Sequence, residues 1–305
     1  MVKYCFLLPA YKTRYFSHAL SSILNQTYTD FNVIVSDDCS PEDIKIIVDD
    51  FNDPRVKYRR NDHNIGGEKL VEHWNILLSL TDAEYVIMAS DDDVYAPEYL
   101  EEINRLAEKY PQVNVLTPRV VRINSSGSPI AEEPSFSSET IDEWEYMEMY
   151  GKGIIFPGIP QYAFKRSALI SINGFVNFPL AWFSDDATVA VLAHENKVVC
   201  SNKPLSYFRV SDSSISGARP SRTTLLMKLK AASMYINFMK NYFGADNEKI
   251  KPTIERAKYI TEHNVLDIVS HEDFFYGMRY CVRNSLFDLG WLLKCTYRYC
   301  LRFIQ

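Results

Sequence analysis

Short apolar segments alternate with helical stretches through the first third of this 305-residue chain. Residues 85–89 are apolar and β-prone, whereas residues 16–24 place apolar side chains at helical spacing. We expect the second helix to begin at Ser40 and Pro41, as N-cap and first helical residue. The patterns together predict strands at 5–8, 32–36, 56–59 and 85–89, and helices at 16–24, 40–51, 67–80 and from Pro97 onward. This βαβα alternation predicts an α/β fold with an open, mostly parallel sheet and helices on both faces.

Acidic side chains follow two of these strands at the points where the strands end. Asp37 and Asp38 come after the second strand, and Asp91, Asp92 and Asp93 come after the fourth. Ligands of such sheets collect at the carboxyl ends of the strands. Three adjacent carboxylates repel one another, which favours a hard divalent cation such as Mg²⁺ or Mn²⁺. Taken alone, the triplet fits a solvated loop or a Ca²⁺ site better; the other strand-end residues favour a ligand site.

Several common phosphate and catalytic motifs are absent. The chain has no GxGxxG after its first strand, no Walker loop, no GxSxG and no HExxH. A cation held by the acidic triplet can bridge a diphosphate and neutralise it as it leaves, which fits sugar transfer. Asp38 could accept a hydrogen bond from the imide N–H of a uracil ring, and Asp91 could reach ribose hydroxyls.

Two further candidates lie in the second half of the chain. Asp185 and Asp186 open a helical stretch, where a carboxylate could deprotonate an acceptor hydroxyl. Helix capping explains the same pair, and from the residues alone it is the better explanation. Arg209 lies on a predicted strand at 205–210 and could clamp a phosphate, or lie on the surface as an ordinary arginine.

The distribution of charge limits the class of partner. The formal net charge is -6, but residues 277–305 carry five basic side chains against one acidic, a net of +4, so residues 1–276 sit at -10. An acidic main body argues against a nucleic-acid surface. The six cysteines form no CxxC pair, which predicts reduced thiols in the cytoplasm. The first residues lack the flanks of a signal peptide, and no window is apolar enough to span a bilayer.

The C-terminal part has a helical pattern, with candidate helices at 225–242, 249–263 and 274–303. We therefore expect a catalytic domain at 1–216 and a helical extension at 217–305. Lys294, Arg298 and Arg302 recur every fourth residue among aromatic side chains. Such a helix could lie on an anionic membrane, which would make the protein peripheral on the cytoplasmic face. A homodimer contact or intramolecular packing explains the same pattern. Residues 124–140 are predicted to form a loop near the site.

Taken in order, the motifs resemble an inverting glycosyltransferase of family 2. Two of the matching segments are relevant to catalysis. Asp91 to Asp93 match the metal motif of the family, and Asp185-Asp186 match its second acidic pair. The resemblance covers roughly residues 3–216 and also includes Pro9-Ala10-Tyr11, Asn25-Gln26-Thr27, Asp37-Asp38, Asn64, Gly66-Gly67, Asn173-Gly174, Arg209 and Ser213-Ser214-Ile215-Ser216. It implies a GT-A fold, a Rossmann-like, mostly parallel mixed sheet, here followed by a C-terminal helical extension.

The resemblance also implies roles for these residues. Asp38 would bind the base, Asp91 the ribose side, and Asp92 the Mg²⁺ or Mn²⁺ ion with Asp93 nearby. Asp186 would be the general base. The remaining nucleotide-binding positions would be Pro9, Ala10, Tyr11, Asp37, Asn64 and Arg209. The donor would be a nucleoside diphosphate sugar, with UDP favoured, and the acceptor a saccharide or a lipid-linked saccharide in polysaccharide or glycolipid synthesis.

Two positions depart from the family pattern. Cys39 stands where relatives usually have glycine, which predicts a different local backbone after the base-binding acids. Ser211 stands where many relatives carry a histidine that touches the diphosphate or metal, so Asp212 or water would fill that place.

Two other functions compete with sugar transfer. A binding or scaffold protein could keep the fold without turnover, although Asp38, Asp92 and Asp186 are all present. Nucleotidyl transfer onto a sugar phosphate would need a glycine-rich basic loop after the first strand, where this chain has residues 10–14 without any glycine.

Overall fold

A computed structural model of the chain describes residues 2–211, 218–266 and 269–301. Its N-terminal half alternates strands and helices, as the sequence predicts. The elements up to Ile123 are β1 (Tyr4–Ala10), α1 (Phe16–Leu24), β2 (Phe31–Asp37), α2 (Ile44–Phe51), β3 (Val56–Arg60), α3 (Leu70–Ser79), β4 (Tyr85–Met88), β5 (Val94–Tyr95), α4 (Tyr99–Lys109) and β6 (Val115–Ile123).

The remaining elements complete the sheet and then form a helical region. They are β7 (Pro129–Glu132), β8 (Thr140–Asp142), α5 (Glu143–Gly151), β9 (Ala163–Lys165), α6 (Arg166–Ser171), α7 (Ser184–Ala193), β10 (Lys197–Arg209), α8 (Arg222–Phe243), α9 (Lys251–Ile260), α10 (His271–Arg283) and α11 (Leu289–Leu301). Within the described residues, no helix is long and apolar enough to cross a membrane.

One mixed sheet organises the molecule, with strand order β3-β2-β1-β4-β9-β6-β10-β5. β1 pairs in parallel with β2 and β4, β2 with β3, and β6 with β10. The short strand β9 is antiparallel to both β4 and β6, so β4 and β6 run in the same direction. The ends of β1, β2 and β4 therefore open on the same edge of the sheet, where the acidic motifs follow.

Helices cover both faces of the sheet, because successive side chains of a buried strand point to opposite sides. In β1, Tyr4, Phe6 and Leu8 belong to a core that includes residues of α1 and α4. Cys5 and Leu7 belong to the opposite core, which includes residues of α3 and α7. A third core joins α5 and α7 to α8 and α9, so the C-terminal helices are packed against the sheet-bearing part.

Three local predictions are wrong. The second helix is capped by Asp43, whose carboxylate accepts from the Ile46 N–H, while the Ser40 hydroxyl donates to the carbonyl of Tyr11. Residues 124–140 are not simply a loop, because β7 within them pairs with β6. The helix predicted at 274–303 is two helices, α10 and α11.

The C-terminal stripe of basic residues is partly neutralised within the chain. Arg298 forms a 2.7 Å ion pair with Glu262, and Lys294 lies 4.0 Å from the same carboxylate. Trp291 and Tyr299 are buried against α8 and α10. Arg302 lies outside the described residues. Intramolecular packing thus accounts for one face of α11, and the membrane and dimer contacts stay predictions.

Candidate active site

A cavity of about 620 Å³ opens at the carboxyl edge of the sheet. The loops after β1, β2 and β4 line it, and so does the turn into α7. Of the residues proposed from the sequence, it is lined by Pro9, Ala10, Tyr11, Asp38, Asn64, Asp91, Asp92, Asp93, Asp186 and Arg209. The fold therefore brings ten of those eleven positions to one cavity.

Asp38 is buried, and main-chain and amide donors surround its carboxylate. Its Oδ1 accepts from the Asn61 side chain and from the Ile65 N–H, both at 2.8 Å. Its Oδ2 accepts from the Asn64 side chain and from the Gly66 N–H, both at 3.0 Å. Four donors on one carboxylate fix the loop that follows β3 against the end of β2.

Asp37 is the exception among the proposed residues, because it does not line the cavity. Its carboxylate is fully buried and accepts from the Ser40 N–H, the Tyr58 hydroxyl and the Arg60 guanidinium. These contacts join β2, β3 and the turn after β2. In the structure Asp37 therefore stabilises the protein itself and is not exposed to a ligand in the cavity.

Asp91 ties the loop after β4 to the loop after β1. Its Oδ2 accepts from the N–H groups of Tyr11 and Lys12, at 3.0 and 2.9 Å. Burial raises the pKa of Asp91, and these two hydrogen bonds oppose that effect. Tyr11, which is 42% exposed, is thereby held beside the acidic loop at the cavity wall.

Asp92 and Asp93 converge on one hydroxyl group. Ser90 Oγ lies 2.7 Å from Asp92 Oδ1 and 2.8 Å from Asp93 Oδ2, although a hydroxyl has only one hydrogen to donate. Burial, followed by the charge of Asp92, raises the pKa of Asp93 well above its ordinary range. The two carboxylates are thus short of compensating positive charge.

This donor set fits a hard divalent cation. Mg²⁺ in particular is usually bound through one or two carboxylates, with substrate phosphates and waters as the other ligands. In the described part of the chain, no three His, Cys, Asp or Glu side chains form a metal-binding group by themselves. Asp92 is the more accessible of the pair, since Asp93 is 3% exposed and also accepts from the Arg209 N–H at 2.6 Å.

Arg209 is buried behind the acidic loop with part of its guanidinium unsatisfied. Nε donates to the carbonyl of Asp92 at 2.8 Å, and Nη1 donates to the carbonyl of Asn124 at 3.1 Å. The guanidinium lies 4.4 Å from the ring centroid of Tyr15. Nη2 is buried and has no hydrogen-bond partner among the described residues. A buried cationic N–H without an acceptor at the edge of a ligand cavity suits an anionic ligand.

The second acidic pair, at the start of α7, also lines the cavity. Burial raises the pKa of Asp185 to about 6. Burial and the charge of Asp185 raise the pKa of Asp186 well above its ordinary range. A hydrogen bond of 3.0 Å from the Tyr150 hydroxyl opposes that rise. A carboxylate whose pKa is raised is a stronger base than an ordinary aspartate, which suits it to accept a proton from a hydroxyl.

The turn before this pair has a strained backbone. Leu180, Ala181 and Phe183 have φ values of 61°, 53° and 68°, a region that residues other than glycine rarely adopt. The ring of Phe183 stacks on Tyr235 of α8, with centroids 4.9 Å apart. Such strain persists when the surrounding packing holds it, and it is concentrated at functional sites.

Beside that turn, Trp182 lines the cavity with a buried lysine behind it. Nζ of Lys228 lies 4.2 Å from the Trp182 ring centroid and has no hydrogen-bond partner in the described part of the chain. Burial lowers the pKa of Lys228 to about 8. The aromatic wall next to the acidic pair is therefore supported from the C-terminal helices.

Sequence reasoning missed several residues of the cavity. Tyr150, Arg122 and Arg256 line it, although each lies in an ordinary strand or helix pattern without a motif. Ser90 alone carried a signal, because it directly precedes the acidic triplet. The others reach the cavity only through the packing of α5 and α9 and the end of β6.

The family model for glycosyl transferase family 2 matches residues 5–169, which is more than half of the chain. The chain belongs to glycosyl transferase family 2. The predicted resemblance is thereby confirmed, and the mixed α/β sheet with its C-terminal helices confirms the predicted GT-A fold class.

Curated relatives of this family member are similar over part of their length. An uncharacterized glycosyltransferase of Haemophilus influenzae is 26% identical over 156 residues, covering 51% of this chain and 50% of the relative. The poly(ribitol-phosphate) β-N-acetylglucosaminyltransferase TarS of Staphylococcus aureus is 27% identical over 183 residues, covering 59% of this chain and 30% of TarS. The chain thus spans half or less of the length of these relatives.

Solved structures resemble the family 2 chain over nearly its whole length. The crystal structure of Staphylococcus aureus TarS residues 1–349 with UDP-GlcNAc has a TM-score of 0.59 at 17% identity, covering 93% of this chain and 89% of that one. A mannosyltransferase of Pyrobaculum calidifontis with GDP-Man and Mn²⁺ has a TM-score of 0.51 at 14% identity, covering 99% and 81%. At these identities the likeness concerns the fold.

The two departures from the family pattern have different outcomes. Cys39 has φ of 55°, in the left-handed region that favours glycine, and the predicted difference from the local backbone of relatives stays a prediction. Ser211 is buried, whereas Asp212 and residues 213–216 lie outside the described residues.

Proposed function

We propose that this family 2 chain is a metal-dependent inverting glycosyltransferase that moves a sugar from a nucleoside diphosphate sugar, with UDP favoured, to a hydroxyl group. The observation that carries the proposal is the shared cavity of Asp38, the acidic triplet and Asp186. The UDP and UDP-GlcNAc complexes of TarS, a protein of similar fold, support a UDP-sugar donor. The GDP-Man and Mn²⁺ complex supports divalent metal use.

At the donor end, the loops after β1, β2 and β4 would bind the nucleotide. Asp38 is held in place by four N–H donors and would orient the base, while Asp91 and the main chain at Tyr11 would face the ribose. Asp92, with Asp93 behind it, would hold Mg²⁺ or Mn²⁺, which when bound neutralises the charge that develops on the leaving diphosphate. The unpartnered Nη2 of Arg209 is available to a phosphate oxygen.

At the acceptor end, Asp186 would act as the general base. The acceptor oxygen attacks the anomeric carbon as the bond from that carbon to the diphosphate oxygen breaks. The hydroxyl proton passes to a carboxylate oxygen of Asp186, and the configuration at the anomeric carbon inverts. Tyr150 would hold the Asp186 carboxylate in position throughout.

The acceptor is proposed to be a saccharide or a lipid-linked saccharide in polysaccharide or glycolipid synthesis. The strained turn at 180–183, with Trp182 in the cavity wall, is the surface on which such an acceptor would lie. A cytoplasmic location, or peripheral attachment to the cytoplasmic face through α11, is proposed with it. The division into a catalytic domain at 1–216 and a helical extension at 217–305 is likewise a proposal.

Calorimetric titration with UDP, GDP and dTDP, with and without Mn²⁺, tests the donor end. We expect one nucleotide, UDP first, to bind in a Mn²⁺-dependent manner, and Asp92→Ala to weaken binding at least about 10-fold. Asp82→Ala, an exposed aspartate before β4, is the matched control and should bind like the native chain.

If none of the three nucleotides binds in the presence of Mn²⁺, glycosyl transfer would no longer be the best-supported function. Tight nucleotide binding without any hydrolysis or transfer of a nucleotide sugar would instead favour a binding protein that kept the fold and lost turnover. The two results separate the enzyme from the scaffold.

A further inference from the structure

Two arginines from distant parts of the chain line the cavity together with Asp186 and Tyr150. Arg122 lies one residue before the end of β6, and Arg256 lies in α9. Burial, followed by the charge of Arg256, lowers the pKa of Arg122.

Neither guanidinium has a hydrogen bond or an ion pair among the described residues. The Nε atoms of both are buried without a hydrogen-bond partner. Arg122 lies over the ring of Phe156, 4.9 Å from its centroid, and Arg256 lies 5.5 Å from the centroid of Tyr259. Buried polar groups are nearly always satisfied, so two arginines that line one cavity, each with a buried Nε–H that lacks an acceptor among the described residues, suit an anionic ligand.

The acids nearest to this pair do not supply that anion. Glu133 is buried and already accepts from the N–H groups of Val120 and Phe156. Burial raises its pKa to about 7, so at neutral pH it is only partly ionised. Arg256 is close enough for its charge to lower the pKa of Asp186, but burial and Asp185 outweigh that effect.

Packing rather than hydrogen bonding fixes the Arg256 guanidinium. It lies against the backbone of Gly153, where a Cβ atom would come within 3.0 Å of Nη1 and 3.2 Å of Cζ. Gly153 has φ of 68°, a conformation that suits glycine. Nearby, a Cβ at Gly151 would come within 2.5 Å of Pro252, at the start of α9. The two glycines at and just beyond the end of α5 thus allow α9 to approach closely and present Arg256 to the cavity.

We propose that Arg122 and Arg256 together bind a phosphate group carried by the acceptor substrate, next to the hydroxyl that is glycosylated. This inference rests on the proposed function, because it assigns the acceptor to the Asp186 side of the cavity. Two guanidiniums offer more donors than a single carboxylate can accept, which favours phosphate over carboxylate. In an inverting reaction the diphosphate of the donor leaves on the side opposite the base, away from this pair.

The first test uses inorganic phosphate as the probe, with the protein saturated with UDP and Mg²⁺ so that the donor's phosphate positions are filled. We expect phosphate to bind, acetate to bind at least 10-fold more weakly, and Arg122→Gln or Arg256→Gln to weaken phosphate binding about 10- to 100-fold. Arg166→Gln is the matched control, because Arg166 also has a buried, unpartnered Nε but does not line the cavity.

The same samples report UDP affinity and thermal stability. Native UDP affinity with unchanged phosphate binding in the Arg122→Gln, Arg256→Gln double variant would overturn this inference and leave the proposed function standing. A loss of UDP affinity in that variant would assign the arginines to the donor and also overturn it. If the native chain binds none of UDP, GDP and dTDP in the presence of Mn²⁺, the proposed function falls and the assignment to an acceptor falls with it, whereas titration of the free protein still shows whether the two arginines bind phosphate.

A second test measures sugar transfer to glycerol 3-phosphate and to glycerol, two small hydroxyl acceptors that differ by the phosphate. We expect kcat/KM to be at least 10-fold higher for glycerol 3-phosphate in the native chain and in Arg166→Gln. The preference should disappear in the double variant. Equal use of both acceptors by the native chain would contradict the proposal.

Discussion

The donor end and the acceptor end of the cavity differ in how their acidic side chains are satisfied. At the donor end, main-chain and amide N–H groups from neighbouring loops satisfy Asp38 and Asp91. At the acceptor end, the charge of Asp185 raises the pKa of Asp186, and the Nε atoms of Arg122 and Arg256 have no hydrogen-bond partner among the described residues. The loops that hold Asp38 and Asp91 are therefore organised before any ligand arrives, whereas the acidic triplet and the acceptor end keep charges that a metal ion, a substrate or a proton must compensate.

The largest expected effect is the loss of the proposed base. Asp186→Asn removes the proton acceptor while keeping the shape of the side chain, so we expect the transfer rate to fall about 10²- to 10⁴-fold. Affinity for the nucleotide should stay within about twofold, because Asp186 lies at the other end of the cavity. Steady-state kinetics and calorimetry on the same preparation check both. Native turnover in this variant would exclude Asp186 as the base.

Substitution of Asp38 at the donor end should lower both the affinity for the nucleotide and the stability of the fold. In Asp38→Asn, an amide NH₂ faces N–H donors, so we expect unfolding free energy to fall by about 2–3 kcal/mol and nucleotide affinity by about 100-fold. Chemical denaturation and calorimetry measure the two. Asp62→Asn, which changes an exposed residue in the loop after β3, is the control. A variant of Asp38 with native stability would show that its four hydrogen bonds do not organise the loop.

The repulsion between Asp185 and Asp186 at the acceptor end should affect the pH dependence of kcat/KM. The pKa of Asp186 is raised, so kcat/KM should fall with decreasing pH at a higher pH than an ordinary aspartate would cause. Asp185→Asn removes the like charge and should move that midpoint down by about one pH unit. Tyr150→Phe removes a hydrogen bond that favours the charged form and should move it up. Identical midpoints in the three proteins would mean that another group controls the profile.

The raised pKa of Asp185 also predicts how the stability of the folded chain depends on pH. The folded-state pKa of Asp185 is about 6, above its unfolded value, so the folded chain binds more protons between about pH 4 and pH 6. Its contribution to stability is present below that window and is lost as the pH rises through it. Asp185→Asn should therefore gain stability relative to the native chain as the pH increases. Denaturation at pH 4.5 and pH 7.5 measures the difference.

The smallest expected effect concerns the strained residue at the donor end. Cys39→Gly relieves a left-handed backbone conformation and should raise the free energy of unfolding by about 1 kcal/mol. Cys39→Ser keeps the strain and should stay within about 0.5 kcal/mol of the native chain. Denaturant titration distinguishes the two. A stabilisation by serine as large as that by glycine would assign the effect to the thiol instead.

Local sequence patterns predicted the secondary structure well where burial is periodic. The first helix, α1 (Phe16–Leu24), has the predicted bounds, and β2 differs from its prediction by one residue at each end. The cap of α2 was wrong because Ser40 is engaged by the neighbouring loop at Tyr11, a contact that no local pattern encodes. The break between α10 and α11 was missed because both helices are amphipathic on either side of it.

The sequence by itself determined the strand-helix alternation and the acids at strand ends, since both follow from side-chain periodicity and chain order. Only the tertiary structure decided which carboxylates are satisfied and which are not. Asp37 and Asp38 are adjacent in the chain, yet β3 and the Arg60 side chain enclose one while the other lines the cavity. Arg122, Tyr150 and Arg256 line one cavity because α5 packs on α9 and the end of β6 opens on the same space. Such long-range packing sets the local electrostatics, and no window of sequence contains it.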